Sequence, residues 1–381
     1  MLAASAALAV VAVTTGVAVT MAVRGDDQPI APVFADGGPS STGSASPAPP
    51  SPAVSAPGSA SAAPTTPPTS RPATKSAGSP AASGGALAGK NLYVDRTGAA
   101  VKQLRDFQAA GRDADARLIR EIADQPTATW FADTAPGYTT RARKLVTGAA
   151  GAGRLPVLTM YNIPHRDCSG QSAGGASGAD AYRSYVASMA NAMAGHPAVV
   201  ILEPDAVPQA VQGCLDPGRT AERFALLGEA IDTLRKNPGV VVYLDAGNPS
   251  WITDTEKMAA ALRTAGVARS NGFSLNVANF ESTAANREYG TALSGHLDGA
   301  RFVIDTSRNG NGPAPRGPNG NEHWCNPPDR SLGEPPTTRT NHKLVDAYLW
   351  IKRPGESDGA CGNGAPPAGQ WWADYALGLA R

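Results

Sequence analysis

The chain has 381 residues, and its 33 Lys plus Arg nearly balance 32 Asp plus Glu, for a formal charge of +1. That balance argues against a nucleic-acid binder, which needs a basic surplus to displace counterions from phosphates. Four cysteines are too few for a disulfide scaffold and lack the close pairs of a zinc module, while 42 Gly and 33 Pro point to a globular region diluted by low-complexity sequence.

Residues 2–23 carry no charge and are rich in Ala, Val and Thr. A span of that length can cross a bilayer as a helix, and its composition also suits an export signal, although no basic residue precedes it. Residues 1–27 are therefore expected to be a signal peptide or a signal anchor, and either would export the remainder. Residues 36–85 contain eleven prolines, no aromatic and three charges, Asp36, Arg71 and Lys75. They offer too little apolar surface to offset the entropy of ordering. Residues 28–87 read as an extended Pro/Ser/Thr/Ala/Gly-rich linker, and residues 88–381 as one folded domain.

Within that domain, short β-branched runs alternate with amphipathic stretches. The predicted strands are 92–95, 128–133, 155–163, 198–207, 240–246, 272–280, 301–306 and 344–352, with helices such as 179–194, 220–236 and 253–265 between them. Alternation of this kind gives parallel strands with crossover helices. Seven to eight units over this length fit an α/β fold, a distorted TIM-like (β/α) barrel, better than an open sheet. No Gly-rich dinucleotide fingerprint follows the first strand.

Polar residues recur at the carboxyl ends of the apolar runs: Tyr161-Asn162, Glu203-Pro204-Asp205, Asp245, Asn276 with Asn279, Asp305 and Lys352. An Asp after a strand is often only the cap of the next helix. Six such groups at the same end of six strands describe a binding or catalytic face, because barrel strands converge there.

Four segments carry the chemistry: Tyr161-Asn-Ile-Pro-His-Arg166-Asp167-Cys168, Ile201-Leu-Glu203-Pro-Asp205, Tyr243-Leu-Asp245-Ala-Gly, and Trp350-Ile-Lys352-Arg-Pro-Gly-Glu356-Ser-Asp358-Gly. In this order and spacing, with Asn276-Val-Ala-Asn279 and Trp324-Cys325-Asn326, the chain from about residue 92 onward resembles glycoside hydrolase family 6. That family comprises inverting β-1,4-glucanases and cellobiohydrolases. Inversion needs one protonated carboxyl group at the leaving oxygen and a second carboxylate roughly 6.5–9.5 Å away, with water between. The resemblance makes Asp205 the general acid, and burial after its apolar strand should raise its pKa. It makes Asp167 a residue that tunes the acid and orders the water, with Arg166 expected to keep Asp167 ionised. Tyr161 would crowd the distorted sugar, Ser172 would help hold the water, and Asp358 would be the base, paired with Arg308 and Lys352. Water-relayed proton removal to Asp167 is the other form of that base step.

Sugar rings present apolar faces, so flat aromatics should line the cleft. Trp130, Trp251 and Trp324 match such positions, whereas Trp371 and Trp372, expected on the last helix, read as packing. Asp245, Asn248, Asn279, Lys352 and Glu356 complete the expected substrate contacts. Asn248 departs from the family's usual His, which bears on affinity rather than on chemistry. The resemblance pairs Cys168 with Cys214 and Cys325 with Cys361.

The five scattered histidines offer no zinc spacing, and nothing cradles a phosphate, so neither metal nor cofactor is expected. The expected partner is a β-1,4-glucan, bound by a monomer that meets a membrane only through its amino-terminal segment. The stretches within each cysteine pair are short, which favours an open cleft and internal cutting over a tunnel and exo action. A non-catalytic glycan-binding protein on the same scaffold would have lost an acid or base, but Asp167, Asp205 and Asp358 are all retained.

Overall fold

The computed structural model describes residues 85–316, 323–362 and 364–381. The expected signal segment and most of the expected linker lie outside the described residues.

Seven strands form one parallel sheet in sequential order. They are β1 (Thr129–Phe131), β2 (Val157–Met160), β3 (Ala198–Leu202), β4 (Val240–Asp245), β5 (Gly272–Leu275), β6 (Phe302–Asp305) and β7 (Val345–Leu349). Each pairs in parallel with the next, as with Leu158↔Val200 and Val200↔Val242, and the register shifts once, between Phe302 and Val303 where β6 meets β7. Nine α-helices lie among the described residues: α1 (Ala99–Ala109), α2 (Asp113–Ala123), α3 (Tyr138–Gly151), α4 (Ala179–Ala192), α5 (Ala206–Gln212), α6 (Pro217–Arg235), α7 (Thr255–Thr264), α8 (Thr283–His296) and α9 (Ala373–Leu379). This is the expected α/β barrel, distorted and with seven strands. The expected strand at 92–95 contracts to a single parallel bridge, Leu92↔Leu155. The margins of the sheet meet through one further bridge, Thr127↔Trp350, and through the Trp130 indole, which donates to the Ile351 carbonyl at 2.7 Å.

Alternation along the strands sorts residues into two apolar layers. Val199 and Ile201 of β3 point inward with Val157, Tyr243, Val303, Ala347 and Leu349, while Ala198, Val200 and Leu202 pack outward on the helices. That is the two-residue period of a sheet buried on both faces. Leu87, at the margin of the expected linker, is fully buried in the inner layer. Burying such a side chain is worth about 1.5–3 kcal/mol, so the packed domain includes it. Helix starts follow local chemistry: Asp216, Asp254 and Ser282 each accept an N–H from three residues on, capping α6, α7 and α8.

The predicted strands overran their real ends, two of them (198–207 and 272–280) by five residues. β3 stops at Leu202 and β5 at Leu275 because Glu203 (φ 48°), Asp205 (φ 69°), Asn276 (φ 65°) and Ala278 (φ 57°) turn left-handed. Such backbone costs of order 1–3 kcal/mol per residue and clusters at functional sites.

Candidate active site

A cleft of about 1000 Å³ opens where the strands end. It is lined by Trp130, Tyr161, Asp167, Ser172, Asp205, Asn248, Trp251, Asn279, Trp324, Lys352, Glu356 and Asp358, among others. Of the residues expected to act on or bind the sugar, Asp245 and Arg308 stand behind its wall, both fully buried, as do Glu203, Asn276 and Asp305 of the expected face.

Asp205 occupies the left-handed turn from which α5 starts. Its N–H donates to Asp245 Oδ2 at 2.9 Å, and Asp245 also accepts from Gly247 N and, at 3.0 Å, from Ser274 Oγ. The expected substrate contact of Asp245 is thus corrected: its oxygens are spent on protein donors, and it supports the turn that aims Asp205. Burial, then the neighbouring charges of Asp245 and Asp167, push the Asp205 carboxyl well above its ordinary value. The Tyr161 hydroxyl reaches Asp205 Oδ2 at 3.4 Å. Its ring meets Trp130 edge-on, with centroids 5.3 Å apart.

Glu203, two residues before the acid, is fully buried and accepts backbone N–H groups from Asn162 and Ile163 at 2.9–3.0 Å. Burial raises its carboxyl to about 7 against those bonds. It suspends the strap that begins at Tyr161 and ends in Asp167-Cys168. On that strap His165, Asp167 and Cys168 also take positive φ. The expected Arg166–Asp167 pairing does not form. Arg166 instead donates to the carbonyls of Ala132, Tyr161 and Ser172 and lies over the Tyr161 ring. Asp167 accepts from Ser172 N at 2.6 Å and from Gln209 Nε2 at 3.3 Å. The close approach needs a bare Gly170, where a Cβ would lie 2.6 Å from Asp167 Oδ2.

Asp358 is held differently. Arg308 Nη1 lies 2.8 Å from its Oδ2 and Lys352 Nζ 3.1 Å from its Oδ1, and Asn326 N donates at 3.0 Å. Burial alone would raise this carboxyl, but the two cations and these bonds overrule it and hold it below its ordinary value. Arg308 is itself pinned by the Ala278 carbonyl and the Phe280 ring. Glu356 faces the cleft beside Arg353, 2.9 Å away. Behind this half sits Asp305, fully buried, which accepts N–H groups from Ala278, Ser307, Ile351 and Lys352.

Asn248 is buried at the cleft wall, where its carbonyl oxygen accepts from the Ser250 amide and hydroxyl. Trp251 is steadied by Gln212 at 3.0 Å, and Trp324 is 38% exposed. Trp371 and Trp372 precede α9 rather than lying on it; Trp371 packs with the α1 and α2 side chains and bonds Gln103. The disulfides are Cys168–Cys214 and Cys325–Cys361, the pairing the resemblance implied. The loops they staple touch, since a Cβ on Gly359 would meet the Gln171 side chain at 2.7 Å. No group of three or more metal-binding side chains occurs among the described residues.

Sequence reasoning missed Gln209 and Arg223. Gln209 had a signal, four residues after Asp205, which is one helical turn. Arg223 had none, because an Arg on an amphipathic helix ordinarily reads as solvated surface.

The family model of Glycosyl hydrolases family 6 matches residues 87–381. Endoglucanase 1 of Streptomyces halstedii is 42% identical over 280 residues, which cover 70% of this chain and 83% of that protein. Endoglucanase A of Cellulomonas fimi is 41% identical over 292 residues, 76% of this chain but 61% of that longer protein. Among solved structures, the endoglucanase Cel6 from Mycobacterium tuberculosis, in complex with methyl-cellobiosyl-4-deoxy-4-thio-β-D-cellobioside, superposes with a TM-score of 0.72 at 45% identity. The match covers 77% of this chain and 97% of that one.

Proposed function

The chain belongs to glycosyl hydrolases family 6, and on that footing we propose that it is an inverting endo-β-1,4-glucanase acting on cellulose or a related β-glucan. The observation that carries this reading is a pair of carboxyl groups lining one cleft and pushed in opposite directions, Asp205 up and Asp358 down. Opposed environments of this kind assign acid and charge-stabilising roles to two chemically identical groups.

A glucan chain lies along the cleft with its sugar faces on Trp130, Trp251 and Trp324 and its hydroxyls toward Asn248, Asn279, Lys352 and Glu356. Asp205, protonated at working pH, gives its proton to the glycosidic oxygen as that bond breaks. Tyr161 crowds the reacting ring and favours its distortion. Water, ordered by Asp167 and Ser172, attacks the opposite face of the anomeric carbon, and its proton leaves toward Asp358 or, along a water chain, toward Asp167. Arg308, from behind, keeps Asp358 negative. The paired cysteines lie only 46 and 36 positions apart, and such short loops leave the cleft open for internal cutting. The touch between Gln171 and Gly359 is a contact that favours the exo alternative.

The apolar segment at residues 1–27 exports the enzyme as signal or anchor, the chain from residue 28 up to the buried Leu87 spaces the domain from that segment, and the domain acts as a monomer. The test is anomeric. Proton NMR of freshly cleaved cellotetraose should show the α-configured reducing end first, because a single displacement inverts a β linkage. An initial β product would overturn the mechanism and every role assigned above.

A further inference from the structure

Asp167 is a cleft carboxylate whose neighbouring arginine is turned away to backbone carbonyls. Its Oδ2 takes the Ser172 N–H and its Oδ1 the Gln209 amide. Gln209 stands one turn along α5 from Asp205 and donates its own N–H to the Asp205 carbonyl at 2.9 Å. A carboxamide can present either oxygen or nitrogen to a neighbour, and Arg223 decides which. Its Nη1 lies 3.4 Å from Gln209 Oε1. A guanidinium only donates, so it claims the oxygen and leaves the NH₂ for Asp167. Arg223 is itself fixed. Only 2% exposed, it donates to the carbonyls of Ala206, Pro164 and His165, with Glu203 as its counter-charge.

We infer that Gln209, oriented by Arg223, is the positioning residue that presents the Asp167 carboxylate to the attacking water. The inference rests on the function proposed above. A neutral donor suits the task better than a cation: it fixes the carboxylate without cancelling its charge, and that charge is among the causes that keep the proton on Asp205. The other groups around Asp167 are Asp205 at the start of α5, Tyr161 and Arg166 on its own strap, and Arg223 of α6 with Glu203; Asp358 lines the same cleft.

The test is Gln209→Met, close in volume but without a donor. On carboxymethyl cellulose kcat should fall about tenfold, the scale of one hydrogen bond to a charged group, with KM within about twofold. A structural role alone would not split kcat from KM in this way. Carbon-13 carboxyl NMR of Asp-labelled protein reads the loss without turnover: the Asp167 signal, assigned by its loss in Asp167→Asn, should move at constant pH because the carboxylate has lost a donor. Gln209→Asn, one methylene too short to reach, should repeat that displacement and serves if the Met variant does not fold. An Asp167 signal unmoved in the folded variants overturns the inference. A wild-type protein inactive on every β-glucan would instead sink the proposed function, and the NMR shift would still judge Gln209.

Discussion

Removing the guanidinium behind Asp358 tests both the stability and the electrostatics of the base side. In Arg308→Met, Asp358 loses a 2.8 Å partner that is fully buried, while Lys352 stays at 3.1 Å. Breaking a buried pair costs about 3–5 kcal/mol, and the retained lysine points to the lower end, about 3 kcal/mol. With an unfolding entropy of about 2.1 cal/mol/K per residue over roughly 300 residues, that loss lowers Tm by about 5 °C. Because the folded Asp358 carboxyl sits below its unfolded value, the pair stabilises the fold above about pH 4. That contribution is lost as pH falls through the folded value. The gap between wild type and variant, read by calorimetry, should therefore be about 5 °C at pH 7 and narrow in acid. Other carboxylates titrate alike in both proteins and cancel in the comparison. A gap of the same size at neutral and acid pH would refute the argument, since it would show that Arg308 supports packing rather than the charge on Asp358.

Asp205→Ala should lose on the order of 10²–10⁴-fold in turnover of unactivated glucans, yet spare much of the cleavage of aryl glycosides with very acidic phenols; wild-type rates on both would remove Asp205 from the mechanism. Carboxymethyl cellulose should lose viscosity quickly while few reducing ends appear. A slow linear fall with cellobiose as nearly the sole early product would make the Gln171–Gly359 contact a functional roof and the enzyme exo-acting.

The seven strands were legible because each is a short apolar run, six of them with a polar group named at the carboxyl end, a pattern that local sequence carries. What was not legible was the side of the wall on which each polar residue falls. Asp205 and Asp245 read alike, both ending strands, yet one faces the cleft and the other serves the first one's backbone. That difference is made largely by donors distant in sequence, the Asp205 N–H 40 residues away and the Ser274 hydroxyl 29 residues away. Arg166 and Asp167, adjacent and of opposite charge, invited a pairing that the left-handed turn at Asp167 does not make. Glu203 and Asp305 stood in plain view as acidic residues, but nothing local says that a carboxylate will be spent on backbone donors from other strands. The overrun of β3 and β5 has the same root: Glu-Pro-Asp and Asn-Val-Ala-Asn continue the apolar run in composition and leave it in backbone angle.

The Asp305 carboxylate, joined to four N–H groups from β5's end, β6's end and β7's end, divides the molecule for anyone who would redesign it. The acid half hangs from Glu203 and Asp245, the other half from Asp305, and Asn276 ties the two, its N–H on the Gly247 carbonyl and its Nδ2 on the Asp305 carbonyl. Loop grafts beyond Asn279 or between Arg308 and Lys352 that leave Asn276 in place can therefore change which glucan is accepted while the aim of Asp205 stays untouched. A graft that displaces Asp305 would unseat Lys352 and the Asn279 turn at once, however carefully its visible residues were chosen.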